Sequence, residues 1–330
     1  MSRMLVRAAR AVDTVLDRSV VFGYPMTGHL VRRRLPTWPP DPGPESLRDK
    51  HVAVTGATSG LGVRTAADLA ALGATVHLVV RDVVKGAVVA DRIAADTGRA
   101  DAATVWECDL ASMASVADFV STFRSAGLSL SALVHNAGVL PATRQEDDRG
   151  HEITMAVHVL GPVAMTEGLL ANLAADARIV VVTSGGMYTQ RLVVDDLDYR
   201  HGRYRGAVAY ARSKRAQVEL LPVLADRWGG AGAAVYAAHP GWAASPGVAS
   251  SLPGFDRIMR PLLRRGDAGV DTVTWLAAVD PRPPGGGLWH DRRERPTSYG
   301  SRTVATDGER AALWRWVAQE CGIPLGPPPR

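Results

Sequence analysis

The chain is short of the residues that would tie a small extracellular fold together. It has two cysteines, Cys108 and Cys321, in 330 residues. They are too few for a disulfide framework, so both thiols read as packing residues and a reducing, cytoplasmic setting is expected. No apolar run reaches the length of a bilayer crossing, and the first residues lack a signal-peptide core with a cleavage site; no spanning or secretory segment is expected. Cys, His and Asp nowhere cluster at ligand spacing, so no metal is expected, and His135 and His239 read as strand-end packing residues. The net charge is only +5, and residues 1–50 hold nine Arg/Lys against five Asp/Glu, so the remainder is close to neutral. A nucleic-acid partner is thereby excluded. Lysine is also scarce: Lys50, Lys85 and Lys214 are the only ones among 38 basic residues.

What the chain does have is a 46% hydrophobic content, enough for a large core. The proline-rich run LPTWPPDPGPE, residues 35–45, cannot be a core element and reads as an extended connector. It divides residues 1–47, an N-terminal helical extension and its connector, from a domain over 48–330. In the extension Leu5, Ala8, Ala9, Val12, Val15 and Leu16 repeat at helical spacing, while Arg3, Arg7, Arg10 and Asp17 fall mostly elsewhere on the wheel. Such an amphipathic helix packs on the domain or on a second copy in a homo-oligomer, or rests its arginines on an anionic membrane surface, a peripheral contact through residues 1–34. The connector is expected to isolate it, leaving the domain able to stand without it.

From residue 51, the apolar runs HVAVT, TVHLVV, ATVWE, SALVH, RIVVVT and AAVYAA alternate with helix-length segments. Near-continuous Val/Ala runs fit strands buried on both faces. The expected fold is α/β, a Rossmann-type doubly wound parallel sheet with helices on both faces, as a single domain with the N-terminal helical extension. Its first turn reads TGATSGLG, Thr55 to Gly62. Gly56, Gly60 and Gly62 let the backbone turn tightly where phosphates approach a helix N-terminus. With Thr58, Ser59 and Leu61 they form the candidate dinucleotide-binding turn.

TGxxxGxG, HNAG at 135–138, Ser184 closing a strand, Tyr210-x-x-x-Lys214 and HPGWAAS at 239–245 occur in that order. This set resembles the short-chain dehydrogenase/reductase family over roughly residues 49–300. TSGGMYTQRLVVDDLDY, AYARSKRAQVEL and DRRERPTSY further resemble its dehydrogenase/reductase member-twelve branch. The resemblance implies an NAD(P)-dependent oxidoreductase that interconverts a carbonyl compound and its alcohol. The alternative is a non-catalytic dinucleotide-binding redox sensor.

Reduction needs a hydride on carbon, which the cofactor supplies, and a proton on oxygen, which Tyr210 supplies as general acid. A phenol titrates near roughly 10, and a neighbouring ammonium with the oxidised nicotinamide is expected to pull that down. Lys214 fits the task, since positions four apart share a helix face. In the family the lysine also reaches the ribose hydroxyls, work for a compact ammonium that arginine's planar fork does not do. This explains a lysine in an arginine-rich chain.

Ser184, 26 residues before Tyr210, would orient the substrate oxygen. No nucleophile-elbow pattern surrounds it, and Thr183 beside it reads as structural. His158 stands where the family's relay asparagine sits; that asparagine acts largely through its backbone carbonyl, which any residue has. After the second strand, Val80 occupies the place of the acid that NAD-preferring members carry, and Arg81 follows, a guanidinium suited to a 2′-phosphate; NADP is the preferred cofactor and NAD the second choice. Asp109 and Leu110 resemble the adenine-contacting pair, Asn136, Ala137 and Gly138 the central-strand turn, and Pro240, Gly241 and Ser245 the segment near the carboxamide. A flap over about 242–266, with Val248, Leu252, Phe255, Ile258 and Met259, would give an apolar lining for a small apolar carbonyl or alcohol. A C-terminal tail is expected over about 300–330.

Overall fold

The structure, a computed structural model, describes residues 3–243 and 261–326. The six expected runs form β1 (His51–Thr55), β2 (Thr75–Val80), β3 (Ala103–Glu107), β4 (Leu130–His135), β5 (Leu173–Val182) and β6 (Ala234–Ala238). Two short strands that the sequence did not announce follow, β7 (Leu288–His290) and β8 (Arg293–Arg295). All eight lie in one sheet in the order β3-β2-β1-β4-β5-β6-β7-β8, parallel except for the β7–β8 hairpin. The strand order reverses between β1 and β4, and a doubly wound sheet opens its crevice at such a point.

Nine helices of eight or more residues accompany the sheet among the described residues. They are α1 (Arg3–Arg18), α2 (Met26–Arg33), α3 (Gly60–Ala71), α4 (Val83–Thr97), α5 (Met113–Ser125), α6 (Gly161–Gly168), α7 (Gly206–Gly229), α8 (Asp271–Ala278) and α9 (Asp307–Glu320). Period-two alternation is absent from the strands because both sides are covered. Val52 and Val54 join the core under α3 and α8, whereas Ala53 between them joins Phe119 and Phe123 of α5 on the opposite face. The C-terminal stretch is more than a tail. Thr306 and Glu309 form a reciprocal capping box that starts α9, whose Leu313, Trp314 and Val317 pack into the core that holds α7.

The extension does not stand apart, as the connector suggested it would. The face of α1 that docks is the acidic one: Asp13 and Asp17 are buried, while Met4, Leu5, Val12 and Val15 face outward. Asp13 accepts two hydrogen bonds of 2.9 Å from Arg295 of β8 and one of 2.9 Å from Arg32 of α2. At the β7–β8 turn Asp291 and Arg292 both adopt positive φ, 50° and 55°, the two-residue mirror-image turn that usually takes Asn-Gly. Charge holds the turn here. Asp291 is fully buried and receives Arg264 in bidentate fashion at 2.6 and 2.9 Å, Arg32 at 2.7 Å and His29 at 3.2 Å. Burial works against its charge, but the guanidiniums prevail and hold the carboxyl well below the usual carboxylate range. Arg292 anchors the connector by donating to the carbonyls of Pro39 and Pro40. The proline-rich run is thus pinned along the domain.

Removing one partner of a buried ion pair leaves the others uncompensated, at about 3–5 kcal/mol. Asp291→Asn keeps the shape and removes the charge, and it should lower unfolding free energy by an amount of that order in a denaturant titration. A change below about 1 kcal/mol, the ceiling for an exposed pair, would show that the network contributes little.

Candidate active site

The carboxyl ends of β1, β4, β5 and β6 surround a cleft of about 1180 Å³. One wall is the turn between β1 and α3. Gly56 has φ +67° there, and a Cβ would lie 2.7 Å from Cα of Ala137, so only glycine fits. Thr58, Ser59, Gly60 and Leu61 continue the wall into the first turn of α3. Gly62 lies behind it: a Cβ would meet the Gly56 carbonyl at 2.3 Å, so this glycine lets α3 pack on the turn. Asn136 donates to the Thr55 carbonyl at 3.1 Å, and the Asn136 and Ala137 N–H groups both donate to the Thr55 hydroxyl at 3.0 Å. Thr55, which sequence reasoning passed over, thereby locks β4 to β1 beneath the cleft.

Arg81 is exposed at the rim, with Lys85 one helical turn further on. Asp82 is occupied as the N-cap of α4, accepting the Lys85 N–H at 3.0 Å and its ammonium at 2.9 Å. Asp109 and Leu110 line the same side, and Asp109 also fixes its own loop by accepting from the Ala111 N–H at 3.0 Å. Gly138, Pro240 and Gly241 line the far end. Ser245 and the apolar flap residues Val248, Leu252, Phe255, Ile258 and Met259 lie outside the described residues.

Ser184, Tyr210 and Lys214 all open into the cleft. Ser184 follows β5, and its Oγ accepts from the Gly186 N–H at 3.3 Å. Tyr210 and Lys214 share one face of α7, with the ammonium 5.6 Å from the phenol ring centre. The expected lowering of the phenol does not come from this lysine: burial pushes Tyr210 up, and the opposing pull is its hydrogen bond with Ser184. Lys214 is itself buried, which brings its ammonium down to about 7, and it donates to the Val182 carbonyl at 2.8 Å. Thr183 is structural, donating to the Lys214 carbonyl at 3.1 Å.

His158 sits behind this group, on a single π-helical turn over Ala156–Leu160 that leads into α6. Its Nε2 accepts the Val139 N–H at 2.9 Å, so the proton lies on Nδ1, which donates to Ser213 Oγ at 2.7 Å; Ser213 in turn donates to the Tyr210 carbonyl at 2.8 Å. Burial, then Lys214, hold the imidazole well below 6.5, so it stays neutral. The His158 carbonyl accepts from Gln217 at 2.7 Å. Ser213, Gln217 and Val139 were missed because their roles exist only once α7 lies against this turn.

These side chains can hold an oxygen and exchange a proton with it, but none stores a hydride. Redox chemistry here therefore needs the dinucleotide that the glycine turn is shaped to admit, and the class is a nucleotide-dependent oxidoreductase. The short chain dehydrogenase family profile matches residues 50–253. A curated relative from Bos taurus, dehydrogenase/reductase SDR family member 12, is 35% identical over 79% of this chain and 82% of its own length. Human retinol dehydrogenase 12 is 34% identical over 84% of this chain and 88% of its own. Among solved structures, an uncharacterised protein from Mycobacterium paratuberculosis aligns over 86% of this chain and 96% of its own, with 28% identity and a TM-score of 0.68. A short chain dehydrogenase from Escherichia coli complexed with NADPH aligns over 76% of this chain and 100% of its own, at 27% identity and a TM-score of 0.62. The chain belongs to the short-chain dehydrogenase/reductase family and is an NAD(P)-dependent oxidoreductase, and the likeness to the member-twelve branch seen in its motifs is supported by these matches.

A lysine depressed to about 7 has a consequence for stability. Between there and its unfolded value of about 10.4, the unfolded chain binds the extra proton, so stability rises with pH across that window. Lys214→Met lacks this dependence. Thermal midpoints of the two proteins from pH 6 to pH 10 should therefore shift steadily in favour of the native chain. Parallel curves would show an ammonium that is not desolvated.

Proposed function

We propose that the protein interconverts a small apolar carbonyl compound and its alcohol with NADP(H), with Tyr210 as the general acid and base. The observation that carries this reading is the convergence of Ser184, Tyr210 and Lys214 on one cleft with the glycine turn. Bound nicotinamide supplies or takes up the hydride. Ser184 would hold and orient the substrate oxygen, and the Tyr210 hydroxyl would give it a proton in one direction and recover it in the other. Burial favours the neutral phenol as donor. Lys214 would anchor the ribose hydroxyls, and the charge of the oxidised ring would draw the phenol down. His158, neutral and bonded on both nitrogens, supports the helix that carries Tyr210 and moves no proton.

Preference for NADP is supported by Arg81 and Lys85 at the rim, by the apolar Val80, and by the engagement of Asp82 elsewhere. Apolar substrates are supported by Val139, Leu140, Ala207, Ala211 and Trp242 in the cleft wall. Tyr210→Phe should abolish turnover of apolar aldehydes in a nicotinamide absorbance assay while leaving cofactor binding near native. In the same assay Arg81→Ala should weaken NADPH by about tenfold or more and NADH little, the loss of one charge-assisted contact. Retained turnover would remove Tyr210 as the acid, and equal losses would remove Arg81 as a phosphate contact.

We further propose a cytoplasmic protein that rests on anionic lipid through α1. With both acids of α1 buried, its outward side carries Arg3, Arg7, Arg10 and Arg18 beside Met4, Leu5, Val12 and Val15. An apolar face with cations alone beside it suits an anionic interface. The protein should sediment with vesicles of phosphatidylcholine and phosphatidylglycerol and not with phosphatidylcholine alone, and Val15→Asp should release it. Equal sedimentation with both, or association into dimers without lipid, would assign this face to another partner.

A further inference from the structure

Residues 23–26, where the link from α1 enters α2, lie against the part of the cleft that follows Ser184 and Pro240. Tyr24 is 1% exposed. Its carbonyl accepts the Trp242 N–H at 3.0 Å and Arg264 Nε at 2.8 Å, and the Gly23 carbonyl accepts Arg32 at 2.6 Å and Arg264 at 3.3 Å. Met26 N–H donates to the Leu262 carbonyl at 2.9 Å, and Arg264 N–H donates to the Trp242 carbonyl at 2.7 Å. The chain on both sides of residues 244–260 is therefore tied to the same short stretch of the extension, through Gly23, Tyr24 and Met26.

The Tyr24 ring itself shapes two loops. It meets His239 edge-on with ring centres 4.5 Å apart, and His239 Nδ1 accepts the Gly241 N–H at 2.9 Å. At Gly185, immediately after Ser184, a Cβ would lie 2.9 Å from Tyr24 Cε2. At Gly241, immediately after Pro240, φ is +76° and a Cβ would lie 2.6 Å from the Tyr24 carbonyl oxygen and 2.4 Å from Arg264 Nε. Both loops lack a side chain where the extension passes.

We infer that Tyr24, seated by Arg264, is a positioning residue of the active site: it fixes the Ser184–Gly185 and Pro240–Trp242 turns, so that the N-terminal extension forms part of the nicotinamide and substrate end. This rests on the reading of Ser184 and Pro240–Gly241 given above. General packing is not sufficient to explain the arrangement, because one side chain more than 150 positions away in sequence contacts the turns after two different strands, each beside a residue of the candidate site.

The test uses the full chain with Tyr24→Ala, Tyr24→Phe and Gly185→Ala, titrating NADPH and adenosine 2′,5′-bisphosphate by intrinsic fluorescence. The bisphosphate carries only the adenine half of the cofactor. Tyr24→Ala should lose about tenfold in NADPH affinity, the scale of one or two hydrogen bonds, while binding the bisphosphate as the native protein does. Its kcat for an apolar aldehyde should fall by up to about a hundredfold, the effect of a misplacement near 1 Å, with a smaller change in KM. Tyr24→Phe keeps the ring and the carbonyl and should restore both. Gly185→Ala presses on the ring from the other side and should give the same split between the two ligands, and it decides the matter if Tyr24→Ala does not fold. Equal loss of both ligands, or native NADPH binding in Tyr24→Ala and Gly185→Ala, overturns the proposal. If the native chain prefers NADH, the titrations with NADH and ADP-ribose test Tyr24 independently of Arg81.

Discussion

A single buried carboxylate organises the far edge of this molecule. Asp291 sits in a turn whose backbone an ordinary residue adopts at a cost, and it is held there by two guanidiniums and an imidazole. One of those guanidiniums comes from α2, and the other, Arg264, comes from the chain that borders the cleft. Strand edge, extension and cleft thereby share a counter-ion. A network of this kind contributes less to stability than its many contacts suggest, because desolvating the charges offsets much of the attraction, yet it punishes the loss of any one member. Specific geometry at the cleft is what such a network supplies.

The central sheet was legible in the sequence because strands buried on both faces are apolar along most of their length, as in VAV of β1, LVV of β2, ALV of β4, IVVV of β5 and AVYAA of β6. The glycine turn was legible because positive φ at Gly56 and close approach at Gly62 leave no other residue type possible. The three-residue strands β7 and β8 were not, since LWH and RER carry no periodicity and their Asp-Arg turn depends on partners far away in sequence. The docking face of α1 was obscured for a related reason. Hydrophobic periodicity assumes that the apolar side goes inward, but Asp13 finds Arg32 and Arg295 inside, so the usual orientation is reversed. Pairing of that kind is a tertiary fact. The flap residues read from the sequence lie outside the described residues, so the apolar lining rests on Leu140, Ala211, Trp242 and their neighbours.

Behind the tyrosine, the substitution of His158 for the expected asparagine is accommodated with both ring nitrogens bonded. One nitrogen takes the backbone of the turn after β4 and the other takes Ser213 on α7, so the imidazole serves as a brace between two elements of the cleft. A group that titrates near neutrality in water is here made inert by burial, whereas the neighbouring lysine is brought into the physiological range by the same desolvation. Burial has opposite consequences for function because the two unperturbed values lie on different sides of neutral pH.

The docking of the extension also bears on how the chain is made. Arg32 and its carboxylate partner Asp291 are 259 residues apart, so the extension leaves the ribosome long before the residues that receive it. At synthesis rates of about 5–20 residues per second, the interval is tens of seconds. Through that interval Asp13 and Arg32 lack the β7–β8 hairpin that receives them in the finished protein. The cleft reaches its final shape only when the last quarter of the chain has been delivered, so an incomplete chain carries the glycine turn and the tyrosine–lysine pair without the framework that aligns them.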